Sequence, residues 1–111
     1  MAKIVGHVGS IDKKTLAKLA TMPMARSIYK ETDNAAQITL ELVSGAIVQD
    51  DRGESAYFID KSGEIYRTSA SRVYTALMDA IELAGDEPTK YTFFRATSQR
   101  TGNEYLACKL E

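Results

Sequence analysis

A chain of 111 residues, 44% of them hydrophobic, can bury one core without disulfide or metal staples and is too short for two ordinary domains. Its formal charge of −1 is far from the positive balance of dedicated duplex binders, whose affinity is dominated by phosphate contacts, so any nucleic-acid role has to rest on local charge. One cysteine, Cys108, excludes an internal disulfide and agrees with a reducing cytosol; with no apolar run near about 18 residues and no leader-like start, the expectation is a single soluble cytoplasmic domain.

Residues 3–8 read as a short strand. Ser10 is the expected N-cap of a first helix running through Leu16 and Leu19 toward Met22, with Asp12 and Thr15 completing a polar start. Pro23 interrupts it, since proline lacks an amide hydrogen and disfavours helix in the residue before it; 24–31 is either a further helical turn or a loop. A polar turn over 32–36 leads to a strand over 37–49, where Ile38, Leu40 and Leu42 alternate with Thr39, Glu41 and Val43. At Ser44 and Gly45 the alternation slips phase, which predicts a glycine bulge or a sharp bend in a long strand.

After a polar loop over 50–55 around Gly53, Tyr57, Phe58 and Ile59 are separated from Ile65, Tyr66 and Arg67 by the turn residues Asp60, Lys61, Ser62 and Gly63. That is a strong hairpin signal. Pairing Ile59 with Ile65 sets Tyr57 opposite Arg67 and Phe58 opposite Tyr66. Ser69 or Ser71 is expected to cap a second helix, whose Val73, Leu77, Ala80, Ile81 and Ala84 recur at helical spacing until Gly85 and Pro88 end it. Strands over 89–97 and 104–110 form a second hairpin across 98–103. This order predicts an α+β fold, an antiparallel sheet with two helices, of the kind that curls into a partly open OB-like barrel.

The candidate site is a surface. If Arg95 pairs with Tyr105, period-two alternation puts Tyr91, Phe93 and Arg95 on one face with Tyr105, Ala107 and Lys109, leaving Phe94, Leu106, Cys108 and Leu110 for the core. Aromatics interleaved with cations stack unpaired bases and hold their phosphates, each stacked base contributing about 1–3 kcal/mol. Tyr57 and Arg67 carry the pattern onto the first hairpin, and Arg100 at the tip of the second is placed to reach a phosphate. The competing reading is that these aromatics are core, because such side chains pack well on pleated surfaces. Against it, both faces of one hairpin are apolar or aromatic, and two helices in so small a domain need not cover both.

Other chemistry has little support. His7 has no second histidine or nearby cysteine to complete a metal site, and Asp50, Asp51 and Glu54 do not match a calcium loop. Gly6-His7-Val8-Gly9 is shorter than a phosphate-cradling motif, and Cys108 alternates with Leu106 and Leu110 as a small core residue would. No nucleophile is paired with a base at recognisable spacing, so the expectation is a non-enzyme with no cofactor and no metal.

The run Ala56-Tyr57-Phe58-Ile59-Asp60-Lys61-Ser62-Gly63-Glu64-Ile65-Tyr66-Arg67-Thr68-Ser69-Ala70-Ser71, then Gly85-Asp86-Glu87-Pro88, then Ser98-Gln99-Arg100-Thr101-Gly102-Asn103-Glu104-Tyr105-Leu106, resembles small phage-type single-stranded DNA-binding proteins. In those, an aspartate-rich hairpin leads to a tyrosine-threonine-serine helix start, and a serine-lysine-x-glycine-arginine loop precedes the last strand. The likeness covers about the final half of the chain, and the loop departs from it: Arg100 stands where lysine is expected nearby, and Asn103 where arginine is. The resemblance implies sequence-independent binding of single-stranded DNA in phage DNA replication or recombination, in the host cytoplasm and with no membrane partner. The alternative is a phage-encoded interaction module inhibiting a host or defence protein through the acidic segment 50–60 or the same aromatic face. An exposed strand edge on either hairpin also offers a route to a homodimer.

Overall fold

The longest alternating segment of the chain is the spine of its structure. A computed structural model describes residues 2–85 and 87–110, so that Asp86 of the Gly85-Asp86-Glu87-Pro88 motif lies outside the described residues. Its strands are β1 (Lys3–Gly9), β2 (Arg26–Ser27), β3 (Ile38–Asp50), β4 (Gly53–Asp60), β5 (Ile65–Thr68), β6 (Thr89–Thr97) and β7 (Glu104–Leu110). Its helices are α1 (Lys13–Ala20), α2 (Ile28–Glu31) and α3 (Ser71–Ala84), with a 3-10 turn at Asp33–Ala35. The sheet runs β2-β5-β4-β3-β6-β7, with β1 also on β3. One edge of β3 pairs over 42–50 with β4; the other serves β6 at its start and β1 at its end. Sharing one long strand between neighbours curls the sheet into a half-barrel.

The fold is α+β as expected, with two amendments. The sheet is mixed, because β2 joins β5 in parallel through Arg26 opposite Tyr66 and Ser27 opposite Arg67. Three helices are present among the described residues, since 24–31 holds a short strand and then the single turn of α2.

The slip in β3 is a bulge: register against β4 shifts between Leu42 and Ser44. Leu40 and Leu42 therefore share a face with Gly45 and Ile47, and Ala46 and Val48 turn to the other. Gly45 sits opposite Phe58, and a Cβ there would lie 2.7 Å from the ring and 3.1 Å from Met78 Sδ. Gly9 ends β1 at φ +81, where a Cβ would run into the Val43 carbonyl oxygen. The close crossing of β1 on the bulge thus depends on the missing side chain.

The β4–β5 hairpin has the expected register, with Ile59, Phe58 and Tyr57 opposite Ile65, Tyr66 and Arg67. Asp60 Oδ1 holds its turn by accepting from Ser62 N (2.9 Å), Ser62 Oγ (2.7 Å) and Glu64 N (2.9 Å). The expected loop at 50–55 is tighter than that, since β4 already starts at Gly53 and Asp50 Oδ1 caps the turn by accepting from Arg52 N at 2.8 Å.

The helix starts differ from expectation. The N-cap of α1 is Asp12, whose Oδ1 accepts from Thr15 N at 2.7 Å, and that of α3 is Ala70, between the two serines expected for it. Gly85 ends α3 at φ +68. On one face of the sheet α3 lays Val73, Leu77, Met78 and Ile81 over Leu40, Leu42, Phe58, Tyr91 and Phe93; on the other, Leu19 of α1 packs with Ala46, Val48 and Tyr57. Each large apolar side chain so buried contributes about 1.5–3 kcal/mol. No helix among the described residues is long and apolar enough to cross a membrane.

Candidate nucleic-acid interface

The second hairpin closes on Thr97 opposite Glu104. Its loop fixes this pairing: Ser98 N donates to the Asn103 carbonyl (2.9 Å), Gly102 N to the Ser98 carbonyl (2.8 Å), and Ser98 Oγ accepts from the amides of Arg100 and Thr101 (3.3 Å each). Arg95 consequently faces Leu106, and Tyr105 faces Ala96, one residue away from the expected pairing of Arg95 with Tyr105. A slip of one residue exchanges the faces. Tyr91, Phe93 and Arg95 go with Leu106 and Cys108 toward α3, while Lys90, Thr92, Phe94 and Ala96 go with Tyr105, Ala107 and Lys109.

Four expected contact residues are corrected, three by this register and Tyr57 by its burial. Tyr91 and Phe93 are 2% and 0% exposed, their ring centroids 6.5 Å apart beneath α3, and burial raises the Tyr91 phenol above its ordinary pKa. Tyr57 is 1% exposed, packed with Leu19 of α1. None of the three presents a ring to a base. Arg95 spends its charge inside the molecule: Nη2 donates to the Tyr29 carbonyl (2.6 Å), Nε to Thr32 Oγ1 (3.2 Å), and Nη1 lies 3.3 Å from Asp33 Oδ1. Its guanidinium carbon sits 3.8 Å over the Tyr29 ring, and only 12% of the side chain is exposed. It pins the α2 segment to β6.

Arg67 is exposed on β5, but β4 and β3 separate it from β6. Through Tyr57 it is level with Ala46 on β3, and the run of β3 between Thr39 and Ala46 adds about 20 Å at strand rise. It lines a cleft with Ser27, Tyr29, Thr68, Ser69 and Ala70, none of which belongs to the second hairpin.

Tyr105, Lys109 and Arg100 remain exposed on that hairpin, and the register adds Lys90 and also Phe94, which was expected in the core. Phe94 is opposite Ala107 and diagonal to both Tyr105 and Lys109, a spacing of about 7–8 Å. Tyr105 is 51% exposed; Phe94 is half-buried and belongs to neither core. Ala96 and Ala107 form a shallow floor between the rings, continued on β3 by Thr39, whose hydroxyl lies 2.9 Å from that of Thr92. This half of the sheet face is left open because α1 covers the other half.

Its charge is positive. Glu41 bridges Lys61 Nζ at 2.9 Å and Lys90 Nζ at 3.7 Å, and the Lys61 hydrogen bond, ahead of the lysine charges, holds its carboxyl below the ordinary value. With Lys109, three lysines stand against one glutamate, while Asp50, Asp51 and Glu54 gather at the far hairpin tip joining β3 to β4.

Cys108 faces the core, and burial pushes its thiol up, the wrong direction for a nucleophile. Among the described residues no three metal-ligating side chains converge. Comparison with protein-family models, curated proteins and solved structures found no match.

Proposed function

We propose that this protein binds single-stranded DNA without regard to sequence, on the open face of β6 and β7 of a half-barrel read as OB-like. Phe94 and Tyr105 stack bases, and Lys90, Lys109 and Arg100 contact phosphates. The observation that carries this reading is the placement of two rings beside lysines on the half of a sheet face that neither core uses. Small barrels of this class bind oligonucleotides on a strand face in the same manner. The likeness of 56–71 and 98–106 to phage-type single-stranded DNA-binding proteins supports a role in phage DNA replication or recombination.

Magnitudes set what to expect. Two stacked bases supply about 2–6 kcal/mol, short of the roughly 8 kcal/mol of a micromolar complex, so phosphate contacts have to supply the remainder. Three such contacts give a slope of about −2 in log affinity against log salt. Fluorescence anisotropy of a labelled oligothymidine should show binding at low salt with that slope, and a duplex of equal length should bind more weakly. Absence of binding at low salt, or equal affinity for duplex, would contradict the proposal.

A further inference from the structure

Among the described residues β1, β2 and β7 each have an edge with no strand beside it. β2 is two residues long, and β1 carries a bulge between Ile4 and Gly6. Short strands and bulges are how natural sheet edges avoid pairing. β7 has neither protection: its seven residues keep unbroken register with β6 and include no proline. We propose that β7 pairs antiparallel with β7 of a second copy of this chain, about a two-fold axis midway between the two copies of Ala107, and that this pairing completes the binding face.

Parity and charge choose the register. A two-fold axis relating antiparallel edge strands stands perpendicular to the sheet, so residues opposite each other come from the same face and the axis passes midway between one residue and its own copy. Centred on Ala107, all seven residues find a partner: Tyr105 meets the partner's Lys109, Leu106 the partner's Cys108, and Glu104 the partner's Leu110. Tyrosine beside lysine is a favourable cross-strand pair. Centring on Cys108 brings Lys109 diagonal to the partner's Lys109, and centring on Leu106 leaves Lys109 and Leu110 beyond the ladder. Only the Ala107 register uses the whole strand and keeps like charges apart.

Phe94 is opposite Ala107, so the pairing lines up Phe94, Ala107, the partner's Ala107 and the partner's Phe94 across four strands, about 14 Å from end to end. Tyr105 and the partner's Tyr105 flank the axis. One chain offers two stacking rings at the margin of its sheet; the pair offers four around a floor of alanines, with a lysine beside each tyrosine. That completed surface rests on the nucleic-acid reading, whereas the β7 pairing does not.

The test is sedimentation of the full chain without nucleic acid, together with oxidative cross-linking of Ala107→Cys and, as a control, Tyr105→Cys, each in a Cys108→Ser background. Expected are a species of twice the 12.2 kDa chain mass and at least tenfold more covalent dimer from Ala107→Cys than from Tyr105→Cys. A monomer at every concentration, a dimer that Ala107→Cys does not cross-link, or preferential cross-linking through Tyr105→Cys would each overturn the pairing. Oligothymidine binding by the same wild-type sample separates the two readings: a monomer that binds overturns the dimer alone, and a dimer that does not bind overturns the nucleic-acid reading, and the completed face with it, while leaving the pairing in place.

Discussion

Arg95 shows how a cation that reads as a ligand contact in sequence becomes structural once its neighbours are known. Its partners Tyr29, Thr32 and Asp33 lie more than sixty residues away in the chain, where no local pattern reveals them. Hydrogen bonds to a charged group contribute about 1.5–3 kcal/mol, so Arg95→Ala should lower stability by about 2–3 kcal/mol in urea unfolding and speed hydrogen exchange around α2. Unchanged stability would refute that assignment. Gly9 is the second decisive single residue: Gly9→Ala adds a Cβ against the Val43 carbonyl at a positive φ and should cost at least about 2 kcal/mol. The need for glycine there comes from β1 crossing the bulge of β3, a contact invisible to local reading.

Among the elements, the β4–β5 hairpin is the most legible. Asp60 accepts three hydrogen bonds inside the β4–β5 turn, and the register of that hairpin follows directly from its sequence. The β6–β7 hairpin was read with correct strand ends and the wrong register, although Thr97 and Glu104 flanking a six-residue loop already imply Arg95 opposite Leu106. Helix starts were placed less well, because Ser10, Asp12, Ser69 and Ser71 all offer capping oxygens and tertiary packing decides among them. The structure leaves α3 with Ala70 at its N-cap in extended conformation and no side-chain cap. Ala70→Ser should therefore raise stability by about 1 kcal/mol, and a loss would mean that Ala70's packing against the core outweighs the cap. Glu41 ties the tip of the β4–β5 hairpin to β6, and its folded pKa lies below the ordinary 4.5. A depressed carboxylate contributes stability that is complete above about 4.5 and is lost as pH falls through the folded value. Glu41→Gln should be less stable than wild type at pH 7, with the gap closing below pH 4.5 in urea unfolding measured across pH. A gap constant with pH would show that the ion pairs do not set it.

At the scale of the molecule, the α+β class and the two hairpins follow from hydrophobic alternation, whereas the parallel β2 and the division of one sheet face into a covered and an open half do not. That division depends on where α1 docks: over Tyr57 and Val48, leaving Phe94 and Tyr105 uncovered. The aromatic and cationic content of the two hairpins is legible as a candidate surface, but burial beneath α3 removes Tyr91 and Phe93 from it and burial beneath α1 removes Tyr57. The decisive measurement is oligothymidine affinity of Phe94→Ala with Tyr105→Ala, compared with wild type and with Arg67→Ala, all confirmed folded by circular dichroism. Loss of two stacks should weaken binding by at least tenfold in the double variant, while Arg67→Ala stays within about threefold of wild type. Equal affinity of the double variant and wild type, or a larger loss from Arg67→Ala, would place any binding elsewhere and contradict the assignment of the open face.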